Sequence, residues 1–343
     1  MRVVFFLLVL AATAKAQHFT SQQSHTKSDL RGISAVSTSV AWASGTKGTF
    51  LRTIDGGQTW TPAVVPGAES LDFRDVEAFN ENEAYLLAAG PGATSRIYKT
   101  NDAGAHWTLQ LKNEAPAGFY DCMTFWDDKH GILLGDSIEG EFQLFATDDG
   151  EHWNQLPTNK LPSSLEGEGA FAASGTCITS QGESNVWFGT GGKAARVFHS
   201  ADRGQTWQVT ETPIVHGADS TGIFSIAFRD AKNGVIAGGD YQRPKKDGRN
   251  LAFTDNGGET WKLSVMKPQF YFSVAAFTQQ GVVLAGTAGA TALSIDDLTS
   301  TTPEVLSLNS TLNLNAISVA KDGAIFAVGP KGLVARMEWE QKK

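Results

Sequence analysis

The sequence predicts an all-β protein, a seven-bladed β-propeller whose ring is closed by an N-terminal strand in the last blade. Three observations carry the prediction: one turn motif recurs at regular spacing, each copy follows the same succession of short apolar runs, and the last unit is one strand short.

The turns are Thr53-Ile54-Asp55-Gly56-Gly57-Gln58-Thr59-Trp60, Thr100 to Trp107, Ala146 to Trp153, Ser200 to Trp207 and Thr254 to Trp261, with successive Trp residues 46 to 54 positions apart. They match the Asp-box, S/T-x-D-x-G-x-T-W. In such a turn a carboxylate accepts hydrogen bonds from its own backbone, a glycine supplies positive φ, and the Trp packs between blades. Asp55, Asp102, Asp148 and Asp202, with Asn256 in the fifth copy, and Trp60, Trp107, Trp153, Trp207 and Trp261 are therefore read as structural.

Ahead of each box stand three β-runs, for example Asp121-Cys122-Met123-Thr124-Phe125, Gly131-Ile132-Leu133-Leu134-Gly135 and Gln143-Leu144-Phe145 before the third. The same register finds two degenerate units, from Val274 to Asp296 and from Asn315 to Arg336, which makes seven. The last unit stops after its third strand, whereas residues from about His18 to Lys27 precede the first unit without an inner strand of their own. That segment is expected to supply the missing outer strand, which leaves no free edge in the ring.

Composition agrees: 36 glycines and only 19% charged residues suit short strands and tight turns. Arg2, the apolar run from Val3 to Leu10 and Ala14-Lys15-Ala16 form a signal peptide over residues 1–16, followed by a single propeller domain over 17–343. The apolar run is far shorter than the ~20 residues of a membrane span. An exported chain is expected, periplasmic or extracellular, without a transmembrane segment after cleavage. Losing Arg2 and Lys15 takes the formal charge from −8 to −10, which argues against a nucleic-acid partner. The two cysteines, Cys122 and Cys177, fall at matching positions of neighbouring blades; a bridge and a pair of buried thiols are both open to them.

In a propeller the channel mouth opposite the boxes is built from residues entering the inner strands and from the second-to-third-strand loops. Here the first group includes Arg31, Arg74, Asp75, Tyr120, Asp121, Glu168, Ser174 and Tyr271, and the second includes Asp136, Asp240, Tyr241 and Arg243. Binding is assigned to Arg74, Tyr120, Asp121, Glu168, Asp240, Tyr241, Arg243 and Tyr271. Were the protein an enzyme, Asp121, Asp136 and Glu168 are the residues that would supply the paired carboxylates of a glycoside hydrolase. The loop from Asp240 to Asn250, with Arg243, Lys245, Lys246 and Arg249, is the one dense basic patch. No metal-ligand spacing, phosphate loop or nucleophile elbow is present, so neither metal nor cofactor is expected.

Beside the boxes, Gly135-Asp136-Ser137-Ile138-Glu139-Gly140-Glu141-Phe142, Glu168-Gly169-Ala170-Phe171-Ala172-Ala173-Ser174-Gly175-Thr176 and Gly238-Gly239-Asp240-Tyr241-Gln242-Arg243-Pro244 resemble the bacterial branch of the Asp-box (BNR-like) propellers related to plant and cyanobacterial photosystem II stability and assembly factors. The resemblance spans nearly all of residues 30–340. It implies a non-enzymatic scaffold that binds a protein, such as a membrane-protein assembly intermediate; those factors use an arginine-rich patch, whereas the arginines here are scattered along the chain. Asp-box propellers also include sialidases and other glycosidases, so a glycan-cleaving or lectin-like role is the alternative. The F/Y-R-I-P motif of sialidases is missing, because Asp72-Phe73-Arg74-Asp75 breaks after the arginine.

Overall fold

A computed structural model describes residues 17–246, 248–264, 270–294 and 305–339; the expected signal peptide and the end of the sixth unit at Ile295 and Asp296 lie outside the described residues. Seven antiparallel sheets follow one another along the chain. Their inner strands are Leu30–Ala35, Phe73–Ala78, Tyr120–Phe125, Ile178–Gln181, Thr221–Phe228, Val274–Phe277 and Ala316–Val319, and blades one to seven are numbered in that order. Among the described residues no helix is long and apolar enough to cross a membrane.

The ring closes as the sequence predicts. Gln17–Gln22 lies antiparallel on Val334–Trp339 as the outer strand of blade seven, with Gln17 opposite Trp339 and Gln22 opposite Val334. The clasp reaches across to blade one. Gln22 accepts from Trp60 Nε1 at 2.9 Å and donates to the Gly56 carbonyl, which also accepts from Arg336 at 2.8 Å.

Both faces of each sheet are buried, because period-2 alternation sends neighbouring residues to opposite blades. Trp42 packs toward blade two, whereas Ala41 and Ala43 beside it pack toward blade seven. Among the described residues the core falls into seven apolar clusters, one for each pair of adjacent blades. Around the channel, inner strands are stitched to their neighbours by hydrogen bonds. Ala35 N donates to Ser318 Oγ at 2.9 Å, Ala78 N to Ser34 Oγ at 3.1 Å, Met123 N to Asp75 Oδ2 at 2.9 Å and Ala275 N to Ser225 Oγ at 2.9 Å.

The repeat turns have the expected chemistry. Asp55 Oδ1 accepts from Thr59 N at 2.9 Å and from Thr53 Oγ1 at 2.9 Å. Asp202 does the same with Thr206 and Ser200, and Asn256 keeps the pattern by donating from Nδ2 to Thr260. The third copy departs from expectation, since the turn carboxylate is Asp149, not Asp148. Asp149 Oδ1 accepts from His152 N at 2.8 Å, and its Oδ2 pairs with His152 Nδ1 at 2.7 Å. The reason is length: this turn has one residue fewer between its carboxylate and its glycine, Gly150, so the register runs from Thr147 and not from Ala146.

Cys122 and Cys177 form a disulfide that ties blade three to blade four, with Cα atoms 6.1 Å apart. Their ladder positions are offset by one place, not matched. Cys122 faces Leu134, whereas Ile178 faces the equivalent Phe188, so that Cys177 precedes the matching site. The bridge constrains a 55-residue separation. Replacing both cysteines by serine is expected to cost about 2–4 kcal/mol in chemical denaturation. Deleting residues 17–27 is expected to lower the melting temperature by roughly 5–10 °C, measured by calorimetry against the chain beginning at Gln17.

Candidate functional site

Four inner strands enter the ring through a β-bulge, with register shifts between Leu30 and Gly32, Phe73 and Asp75, Tyr120 and Cys122, and Ile223 and Ser225. A bulge leaves one residue outside the ladder and re-aims its side chain. The residues so placed are Arg31, Arg74, Asp121 and Phe224, and Ser273 and Asn315 hold the corresponding place just ahead of the paired residues Val274 and Ala316. Five of these six line a cavity of about 410 Å³ at the channel mouth, with Phe171, Ala172, Ala173, Tyr241, Tyr271 and Thr287 completing it.

The floor of that cavity is the connection between blades three and four. It leaves the outer strand at Gln155 and re-enters at Ile178. On the way it crosses the channel: Ala172 O accepts from Arg74 of blade two at 3.2 Å, and Thr176 donates to Ser225 of blade five at 2.7 Å. Ser174 donates to the Ser273 carbonyl of blade six at 2.8 Å, and Phe171 stacks on Phe224 with ring centres 3.9 Å apart. Gly175, at φ +77°, lies where a Cβ would collide with the Asp75 carboxylate, so the strap can pass that close only as glycine. One end is held by the disulfide. The other is held by a short ladder in which Glu168–Gly169 pairs with Gly191–Gly192.

At one side of the cavity two guanidiniums meet one carboxylate. Arg74 Nε donates to Asp72 Oδ2 at 2.9 Å, while Arg31 Nε stands 3.6 Å from Asp72 Oδ1, beyond hydrogen-bond reach. Among the described residues neither Arg31 Nε nor Asp72 Oδ1 has a hydrogen-bond partner. Both arginine side chains keep about a third of their surface in solvent. The locus therefore carries net positive charge and unsaturated donors, a receptor for an anionic group. The opposite wall is aromatic: Tyr271 meets Phe224 edge-on at 4.7 Å, and Tyr241, 48% exposed, forms the rim. Burial raises the Tyr271 hydroxyl above its usual range, which keeps it a neutral donor.

A second cavity, of about 460 Å³, adjoins the first across Phe171 and is lined by Asp136, Ser137, Asp219 and the backbone of Gly167, Gly169, Gly191 and Gly192. Asp136 Oδ1 accepts from Ala170 N at 2.9 Å, and burial raises its carboxyl. Asp121 is 1% exposed, and its Oδ2 has no hydrogen-bond partner among the described residues. Burial and then the Asp136 charge push its carboxyl well up, against the pull of Arg74.

Of the expected site residues, Arg74, Tyr241 and Tyr271 meet at the first cavity, and Asp121 and Asp136 lie close to one another beside the second. Four are placed otherwise. Tyr120 precedes its bulge, so its ring turns into the interface between blades two and three and packs on Phe145 at 5.5 Å. The Glu168 side chain is buried and forked by Arg196, with Thr190 Oγ1 and Leu165 N donating at 2.6 and 2.8 Å, so its oxygens are occupied in holding the strap. Asp240 accepts from Ser220 at 2.8 Å and from Arg243 at 2.7 Å; these bonds outweigh burial, keep its carboxyl low and shape its own loop. Arg243, 61% exposed, is spent on that pairing. Two of the arginines, Arg31 and Arg74, are brought by two bulges to a single carboxylate.

Sequence reasoning missed Phe171, Phe224, Asp72, Ser273 and Asn315. A signal was present, because an apolar residue, a variable one and a small or short polar one open the inner strands as Leu30-Arg31-Gly32, Phe73-Arg74-Asp75, Tyr120-Asp121-Cys122 and Ile223-Phe224-Ser225.

Beneath the mouth, Asp75 and Glu77 share the inner strand of blade two. Burial pushes the Asp75 carboxyl up to about 7 against the amides that bond it, and burial with the Asp75 charge raises Glu77. In the folded chain Asp75 thus holds its proton between about pH 4, where an unfolded Asp titrates, and pH 7. Folding stability should fall as pH rises through that window. In Asp75→Asn, which keeps an acceptor for Met123 N, thermal melts from pH 4 to 8 are expected to show a smaller decline.

These features define the class: a seven-bladed propeller with a strapped channel mouth and two adjoining cavities, one gathered about arginines and the other about carboxyl groups. Residues 7–233 match the family model of the DUF6242 beta propeller domain, and the chain belongs to that family. Among curated relatives, the photosystem II assembly protein Ycf48 of Synechococcus sp. (strain JA-2-3B'a(2-13)) is 24% identical over 291 residues, 71% of this chain and 78% of that protein. The chloroplastic photosystem II stability/assembly factor HCF136 of Arabidopsis thaliana is 28% identical over 126 residues, 35% of this chain and 29% of that protein. The solved YCF48 from Cyanidioschyzon merolae superimposes with a TM-score of 0.65 at 19% identity, covering 93% of this chain and 98% of that one. A streptogramin B lyase structure reaches a TM-score of 0.67 at 12% identity, covering 94% and 98%. Such likenesses to solved structures show the fold and leave chemistry to the site.

Proposed function

We propose that this chain is an exported, non-enzymatic propeller that binds a protein partner through its channel face, in the manner of an assembly scaffold. The observation that carries the reading is the first cavity, where two guanidiniums share a single carboxylate opposite an aromatic wall. That combination suits a segment of polypeptide presenting an acidic group beside an apolar or aromatic one, because aromatic walls supply area while a charge-assisted bond fixes orientation. The relatives named as photosystem II assembly proteins support the same reading.

Of the three carboxylates expected for glycoside chemistry, Glu168 is spent on Arg196 and Asp121 is buried and lines neither cavity, which leaves Asp136 alone of the three free to meet a sugar. Export rests on the N-terminal segment and on the buried disulfide, a bond that persists in oxidising compartments.

The test is capture from envelope extract under mild crosslinking. Wild-type protein is expected to retain a partner that Arg74→Gln and Arg31→Gln each weaken roughly tenfold or more, the worth of one charge-assisted bond. Turnover of any member of a glycan panel, lost in Asp121→Asn, would overturn the reading.

A further inference from the structure

The two cavities share Phe171 as a wall, one gathered about Arg31 and Arg74 and the other about Asp136 and Asp219. We propose that the second cavity, at Asp136 and Asp219 beside the buried Asp121, is a subsite for a cationic side chain of the same partner segment whose acidic group lies at Arg31 and Arg74. The inference rests on the protein-binding reading above and adds to it a requirement on the partner's sequence.

Three observations point to a cation. Asp121 occupies the bulge place that in blades one, two and five turns a side chain to the mouth, and its Oδ2 is buried without a hydrogen-bond partner among the described residues. A buried acceptor left open in this way favours a ligand that brings donors. The Asp136 carboxylate is held through Oδ1 by Ala170 N, which orients it without satisfying both oxygens. Asp219, 91% exposed, stands at the lip with Lys193 at 3.5 Å, a loose pairing that a better-placed cation can replace.

The neighbouring charges agree with this. Glu168 and Arg196 neutralise each other, so the pair contributes little to the cavity. Arg74 lies toward the first cavity, where Asp72 engages it. What remains around the second is the carboxyl groups of Asp121, Asp136 and Asp219, with Lys193 at its lip as the one opposing charge among the groups named. A lysine or arginine side chain would also draw Asp121 and Asp136 toward their ionised forms, so its binding should release protons. The glycines along the wall are packing devices and not a phosphate cradle, since a Cβ on Gly169 would press on Asp136 and one on Gly191 on Phe171.

The experiment is selection of a displayed random dodecapeptide library on the chain from Gln17 to Lys343, repeated on Asp136→Asn, Asp219→Asn and Arg74→Gln, with folding checked by thermal melts. Asp219 is exposed, so its variant keeps the test available if Asp136→Asn fails to fold. Wild type is expected to enrich peptides that carry both an acidic residue and a lysine or arginine at constant separation. Asp136→Asn and Asp219→Asn should each lower the affinity of a synthesised winner at least fivefold and relax the basic position alone, while Arg74→Gln relaxes the acidic one. Enrichment of acidic peptides with no basic position, or basic positions indifferent to both Asp variants, overturns the subsite and leaves the protein-binding reading standing. Failure to enrich any peptide overturns both.

Discussion

A sheet of four short strands with two apolar faces cannot stand alone in water, so each blade of this protein depends on the neighbour at either side. The seven clusters lie between blades and none within one, which makes closure the condition on which the rest depends. The first and last segments of the described chain meet that condition together in one sheet. Gln22, Trp60 and Arg336 then bind the closing blade to the first repeat turn, so the seam is joined by side chains as well as by ladder bonds.

Closure also sets the site. With the blades fixed as a ring, the residues that the bulges of blades one, two and five expel from their inner strands turn toward the channel mouth. Arg31 and Arg74, 43 positions apart in sequence, thereby come to one carboxylate, and Phe224 reaches Phe171. The strap between blades three and four turns an open channel into a floored recess. The Glu168–Arg196 fork, the disulfide and the passage of Gly175 over Asp75 hold it there. Buried carboxylates beneath and beside the floor make the mouth a place where charge is costly and complementary charge is favoured.

How much of this was legible depended on whether a residue's direction follows from local pattern. Blade count, turn chemistry and the strand-short last unit follow from period-2 alternation and from Trp60 and its counterparts. Alignment on the glycine and Trp points to Asp148 because it ignores a missing turn residue; hydrogen bonds from His152 make Asp149 the turn carboxylate. Tyr120 and Asp121 are adjacent, yet a one-place register shift packs the first between blades two and three and leaves the second outside the ladder, buried beside Asp136. Glu168 reads as a binding acid of the channel mouth until Arg196, 28 positions later, takes both its oxygens.

The sequence by itself determined the number of blades, the identity of the turns, the closing strand and the residue types available at the mouth, because each is written in short-range periodicity. Only the tertiary structure decided which of those residues meet, since bulges, the strap and the disulfide act between segments that no local pattern relates. A repeat specifies its unit many times over. It specifies the place where seven units converge only once, through the register of each strand against its neighbour.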